Sequence, residues 1–254
     1  METISTPQLI SYLTIRKAIG WLGILLPFGL WLGNWAINEL NLLNSSFWVN
    51  LNCSGLYSAE APLKSSISHY YYSTVGELFT GTLCAVALFL LSYKGYPLRQ
   101  GEFGLSDDLM CDLAGVFALG VVIFPTSSDG CVNDSIRSFL SSKNTGYIHF
   151  IFAGLFFVTL ALLCIINFRR TNQVNVYGKS SEHNFYLVCG IIMMACLLLL
   201  LLYSFFLESQ FPALKDFKIT FVLETIALFF FGLSWLTKGD VDYYFLLKKI
   251  KLNT

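Results

Sequence analysis

Charge is what this chain has least of. Only 13% of its 254 residues are Asp, Glu, Lys or Arg, where a soluble domain carries about 25%. The deficit is not one-sided, because 16 acids balance 16 bases. Without a basic excess there is nothing to neutralise a phosphate backbone, so nucleic acid is excluded as a partner. Histidine is scarcer still, at 3. The 7 cysteines form neither CxxC pairs nor a Cys/His zinc spacing, so no metal or cofactor is expected. No segment alternates apolar and polar residues as a barrel wall requires, which removes a transmembrane β-barrel.

Apolar residues fill the gap, at 55% of the chain with 23 Phe. They gather in six stretches, residues 18–37, 75–93, 109–125, 147–168, 186–207 and 219–236. Each has the roughly 17–25 residues that cross a hydrocarbon layer as a helix. The third is the weakest, since it contains Asp112 and stops at Pro125. Six such runs leave too little polar chain to shield them from water. The expected fold is all-α: a polytopic integral membrane protein, one six-helix bundle over residues 1–254. Arg16 and Lys17 precede the first run, but it is longer than the apolar core of a secretory signal and no A-x-A exit follows. That first helix is expected to be retained.

Lysine and arginine resist translocation and so report orientation. Eleven of them fall with the N-terminus, the second and fourth connections and the C-terminus, Arg16, Lys94, Arg169 and Lys238 among them. The other side holds five: Lys64, Arg137, Lys143, Lys215 and Lys218. Both termini are therefore expected in the cytoplasm, with connections one, three and five outside. A bacterial cytoplasmic membrane is the default location. Five cysteines lie within the apolar runs, where a thiol acts as a small apolar group. Cys53 and Cys131 lie in outward connections, where oxidising conditions permit a disulfide between them.

Ionisable side chains are costly in lipid, at about 2.5–3.5 kcal/mol at a helix centre on insertion scales. Each therefore needs a partner, a watery cavity or an interfacial position. Glu77, Thr80, Gly81 and Cys84 recur every three or four residues and share one helix face. His149 lies near the outer end of its run, Glu224 sits one turn below Thr220, and Asn34 reaches the same depth. Asp112 belongs at the opposite, cytoplasmic end, within reach of Lys94 or Arg99, as a structural charge. Tyr70, Tyr71 and Tyr72 mark the outer interface, since a tyrosine ring suits the headgroup region while its hydroxyl meets water. His69 lies just on the aqueous side of them. The candidate pocket is thus Glu77, His149 and Glu224, with Thr80, Asn34 and His69 in support. Such a group could be a polar lock between helices, a pocket for a lipid or small ligand, or an acid–base set.

Six helices, cytoplasmic termini and a long first outward connection form a layout that resembles the FRAG/DRAM/Sfk-type membrane proteins and a related bacterial membrane domain of unknown function. The likeness rests on Ser66-Ile67-Ser68-His69 before Gly76-Glu77-Leu78-Phe79-Thr80-Gly81. Ala114-Gly115 to Phe124-Pro125-Thr126, and Tyr147-Ile148-His149 to Phe156-Phe157, extend it. The resemblance implies a lipid-linked or regulatory membrane role. Ser65 to His69 also fits the S-x-x-x-H of the alkaline-ceramidase and progestin/adiponectin-receptor superfamily of zinc hydrolases, which would make the chain a lipid hydrolase. That family's C-terminal H-x-x-x-H has no counterpart here, and His183 falls in a cytoplasmic connection. A small-solute transporter is a third reading. The chain shows no internal repeats, and Pro27 is the one proline in the interior of the six runs, Pro125 standing at the end of the third.

Overall fold

A computed structural model describes residues 6–40, 63–95, 98, 104–127, 142–169 and 179–252. Every long element among them is a helix: α1 (Thr6–Glu39), α2 (Gly76–Leu91), α3 (Asp107–Ile123), α4 (Ser142–Leu162), α5 (Lys179–Leu202) and α6 (Ile219–Leu252). Each falls on one of the six apolar stretches. α1 and α6 run well beyond theirs, because helix-forming polar residues continue the hydrogen-bond ladder past the hydrocarbon-compatible part. Wide turns prolong α4 over Leu163–Asn167 and α5 over Tyr203–Leu207. α3 starts at Ser106, whose Oγ accepts from the Leu109 amide at 3.2 Å. Asp107 and Asp108 in the first turn complement the positive end of the helix.

Each helix packs on the one before and the one after it, and α6 returns to α1. The described helices thus close into a ring. At the α1–α6 seam the two backbones come close together: a Cβ at Gly20 would lie 2.8 Å from the Gly232 carbonyl oxygen. Small residues at such crossings let backbones touch, and in lipid this van der Waals contact replaces the hydrophobic drive of soluble bundles. Phe79, Leu90, Ala118, Leu160, Met193 and Phe231 fill the interior. Outward, Leu88, Leu198, Phe205 and Phe206 are each more than 60% exposed, an apolar surface that water would not tolerate at this extent. Among the described residues four helical spans, Leu13–Ile37, Asn144–Asn167, His183–Gln210 and Ile219–Gly239, are long and apolar enough to cross a membrane. The shorter α2 lies against α3, so the two short helices form a pair.

One end of the ring is closed by buried cations among aromatic rings. Arg16 is fully buried and donates from Nη2 to Tyr93 Oη at 2.7 Å. Lys238 places Nζ 5.7 Å and 5.9 Å from the ring centres of Phe168 and Tyr186, and Trp235 stacks edge-on against Tyr93 and Phe168. These two cations, read from sequence only as orientation signals, also hold the helix ends together through ring quadrupoles. Nearby, Asn167 donates to Asp107 Oδ1 at 2.8 Å and to the Leu105 carbonyl at 3.0 Å. Lys94 pairs with Asp108 at 2.6 Å, so of the two basic partners expected for Asp112 Lys94 is held by Asp108, while Arg99 lies outside the described residues.

Candidate functional site

The opposite end is covered by residues 63–75, which run across the ring before α2 begins. A short 3₁₀ turn, Ser68–Tyr72, forms because the chain bonds to itself at three-residue spacing: the Tyr70 amide to the Ile67 carbonyl at 3.2 Å, the Ser73 amide to the Tyr70 carbonyl at 3.0 Å. Ser73 then turns the chain into α2, its Oγ donating back to the Tyr70 carbonyl at 2.7 Å. Tyr70, expected at the lipid interface with its two neighbours, is instead wholly buried, its ring tilted against Phe221. The burial pushes its phenol up to about 12.

Four anchors clamp this segment. On α6, the Phe221 amide donates to the Ser65 carbonyl at 2.9 Å, using a first-turn N–H that has no partner within its own helix. Glu224 accepts from the Ile67 amide at 2.7 Å and from Ser66 Oγ at 2.9 Å and 3.0 Å. Past the end of α3, the Thr126 carbonyl accepts from Tyr72 Oη at 2.7 Å. On α1, Asn34 Oδ1 accepts from Thr74 Oγ1 at 2.9 Å.

His149 on α4 completes the set. Its Nδ1 lies 2.8 Å from the Phe124 carbonyl and its Nε2 2.9 Å from Ser68 Oγ. A carbonyl can only accept, so Nδ1 carries the proton and Nε2 is left to accept from the Ser68 hydroxyl. The Phe124 carbonyl is available because α3 has ended there and Pro125 follows. A second serine–histidine pair, Ser65 Oγ and His69 Nδ1 at 2.7 Å, lies alongside.

These groups line one end of a cavity of about 320 Å³, within the size range of small-ligand sites. Ser65, Ser68, His69, Thr126, His149 and Glu224 supply the polar end. Phe150, Ala153, Gly154 and Phe157 of α4 face Leu197, Leu200 and Leu201 of α5 as an apolar slot. The wide turn of α5 swings Tyr203 and Ser204 into the same wall. Burial lowers His69 to about 4, helped by His149 and Lys64 nearby. It also lowers Lys64 to about 8, with Lys218 adding repulsion. At neutral pH the His69 imidazole is therefore uncharged. Taken from pH 6.5 towards 4, the unfolded chain takes up a proton on His69 that the folded chain refuses, so stability falls with pH in that window. A melting midpoint that drops over this range in wild type, and less in His69→Gln, is the expected result.

Of the residues expected to form the pocket, His149, Glu224 and His69 meet around this cavity. Glu77 does not line it and is exposed on α2. Thr80 is turned to its own helix, donating to the Gly76 and Glu77 carbonyls. Asn34 is buried and holds the covering segment from α1 without lining the cavity. Sequence reasoning missed Ser68, Thr126 and Tyr203 as site residues. For Ser68 the signal was there, in three serines crowded over residues 65–68 immediately before the tyrosines. Cys53 and Cys131 lie outside the described residues, while Cys84, Cys111, Cys164, Cys189 and Cys196 are free thiols. Among the described residues no three His, Cys, Asp or Glu side chains gather as a metal-binding set.

Helices of this length and apolarity, packed into a ring, define an all-helical membrane protein. The chain belongs to the family described as "Protein of unknown function (DUF998)", whose model matches residues 53–237 and so takes in every residue that lines the cavity. No curated protein and no solved structure matches it.

Proposed function

We propose that this is a six-crossing protein of a bacterial cytoplasmic membrane, both termini inside, whose extracytoplasmic cavity binds a lipid or a small amphipathic molecule. The observation that carries this is the cavity's mixed lining. Hydroxyls, imidazoles, the Glu208 and Glu224 carboxylates and the Lys218 ammonium line it together with an apolar slot between α4 and α5. Such a shape suits a polar headgroup held by hydrogen bonds and a hydrocarbon chain held by apolar contact. The excess of lysine and arginine at the opposite end supports the outward placing of the polar end. A layout resembling that of FRAG/DRAM/Sfk-type proteins would fit the same lipid-linked role.

Gly154 offers a direct test, because a Cβ built there meets nothing within 4 Å. Leucine at this position extends into the slot without displacing the fold. Native mass spectrometry of detergent-purified protein is expected to find lipid on the wild type, and on Gly154→Leu a reduction of roughly tenfold or more. Equal lipid on both, at equal melting midpoints, would refute the proposal.

A further inference from the structure

We infer that Ser68 and His149 form a nucleophile–base pair that takes an acyl group from a lipid ester bound in the cavity. The inference rests on the ligand reading above and names the substrate class and the reaction. Nucleophilic serine sites need three things: a hydroxyl bonded to a base, a base oriented by a third group, and open space at the hydroxyl. Ser68 Oγ is 2.9 Å from His149 Nε2, His149 Nδ1 is 2.8 Å from the Phe124 carbonyl, and both side chains line the cavity. The carbonyl fixes the tautomer that leaves Nε2 basic towards Ser68. Phe124 thus acts as a positioning residue through its backbone.

Rigidity separates this pair from an ordinary hydroxyl–imidazole contact. Ser68 follows directly on Ile67, whose amide is held by Glu224, and Tyr72 pins the far end of its turn to Thr126. Fixed placement of nucleophile and base is what lowers the entropic part of a reaction barrier. The apolar slot brings a hydrocarbon chain up to this point, so the ester carbonyl at the head of that chain arrives at Ser68 Oγ.

In the first step Ser68 Oγ bonds to the ester carbonyl carbon and its proton passes to His149 Nε2. The bond from that carbon to the alcohol oxygen breaks, and the departing alcohol takes the proton from Nε2, leaving an acyl ester on Ser68. Water then adds to the same carbon and gives its proton to Nε2. The bond to Ser68 Oγ breaks, Oγ recovers the proton, and a free carboxylic acid leaves. Ester and water become acid and alcohol, with no oxidant or reductant involved.

The test uses the full chain in detergent with an alkyl fluorophosphonate, which phosphonylates serines activated by a neighbouring base. Peptide mass spectrometry is expected to place the label on Ser68, and heat-denatured protein to take none. His149→Gln is expected to slow labelling about a hundredfold or more, and Ser68→Ala to abolish it. The wild-type result decides alone, so a variant that fails to fold does not blunt the test. Label on another serine, or none, overturns the nucleophile assignment. If lipid retention still falls in Gly154→Leu, binding stands without chemistry; if it does not, the cavity reading falls as well.

Discussion

Gly232→Leu is expected to destabilise the protein by about 4 kcal/mol, or a melting midpoint roughly 10 °C lower. A Cβ at this position would stand 2.5 Å from the Gly20 carbonyl oxygen and 2.5 Å from Ile24 Cγ1. A side chain in the way can rotate; a helix carbonyl cannot. α1 and α6 must then separate, which opens the seam lined by Ile24, Leu228 and Phe231 and leaves the ring unclosed. Gly81→Ala is the fitting control, since its Cβ meets nothing within 4 Å. Removing a mid-helix glycine there should stabilise by about 0.5–1 kcal/mol. Thermal unfolding in detergent, followed by loss of the monodisperse species, measures both. Equal midpoints for the two variants would show that the seam does not hold the ring.

The second large effect is expected from Glu224→Ala. This carboxylate accepts from the Ile67 amide and the Ser66 hydroxyl, and its loss strands both buried donors. At about 1–3 kcal/mol for each donor left unsatisfied, roughly 3 kcal/mol is expected in total. Because both donors belong to the covering segment, the damage should be local. Amide exchange over residues 65–70 should speed up while α1, α4 and α5 keep their protection. Fluorophosphonate labelling of Ser68 should fall too, since the residues just before its turn keep only the Phe221–Ser65 bond to α6. Glu224→Gln retains one acceptor oxygen and should fall between. Unchanged exchange over residues 65–70 would mean that the other three anchors suffice.

The two acids Glu77 and Glu224 show where sequence reading stops. Each is a lone glutamate near one end of an apolar helix, and each falls in a stripe of small or polar neighbours. In the fold Glu224 is a clamp on the covering segment, whereas Glu77 is exposed. A rotation of about 100° about a helix axis, one residue's worth, is enough to carry a side chain off the inward face. An apolar helix in lipid has hydrophobic residues on every side, so no polar face reveals which way it turns. The Ser68–His149 pair was equally hidden, because 81 residues separate its members and no local spacing joins them.

What the sequence determined by itself is the solvent and the number of long helices. Scarce charge, 55% apolar residues and six runs of spanning length are sums over contiguous residues, and burial in hydrocarbon follows from such sums whatever the packing. The tertiary structure alone decided which polar side chains meet. That depends on helix rotation, on the Gly20–Gly232 contact that closes the ring, and on how residues 63–75 cross its end. Contacts between residues as far apart as Ser66 and Glu224 come from directional hydrogen bonds and close packing in three dimensions, which composition and periodicity do not encode.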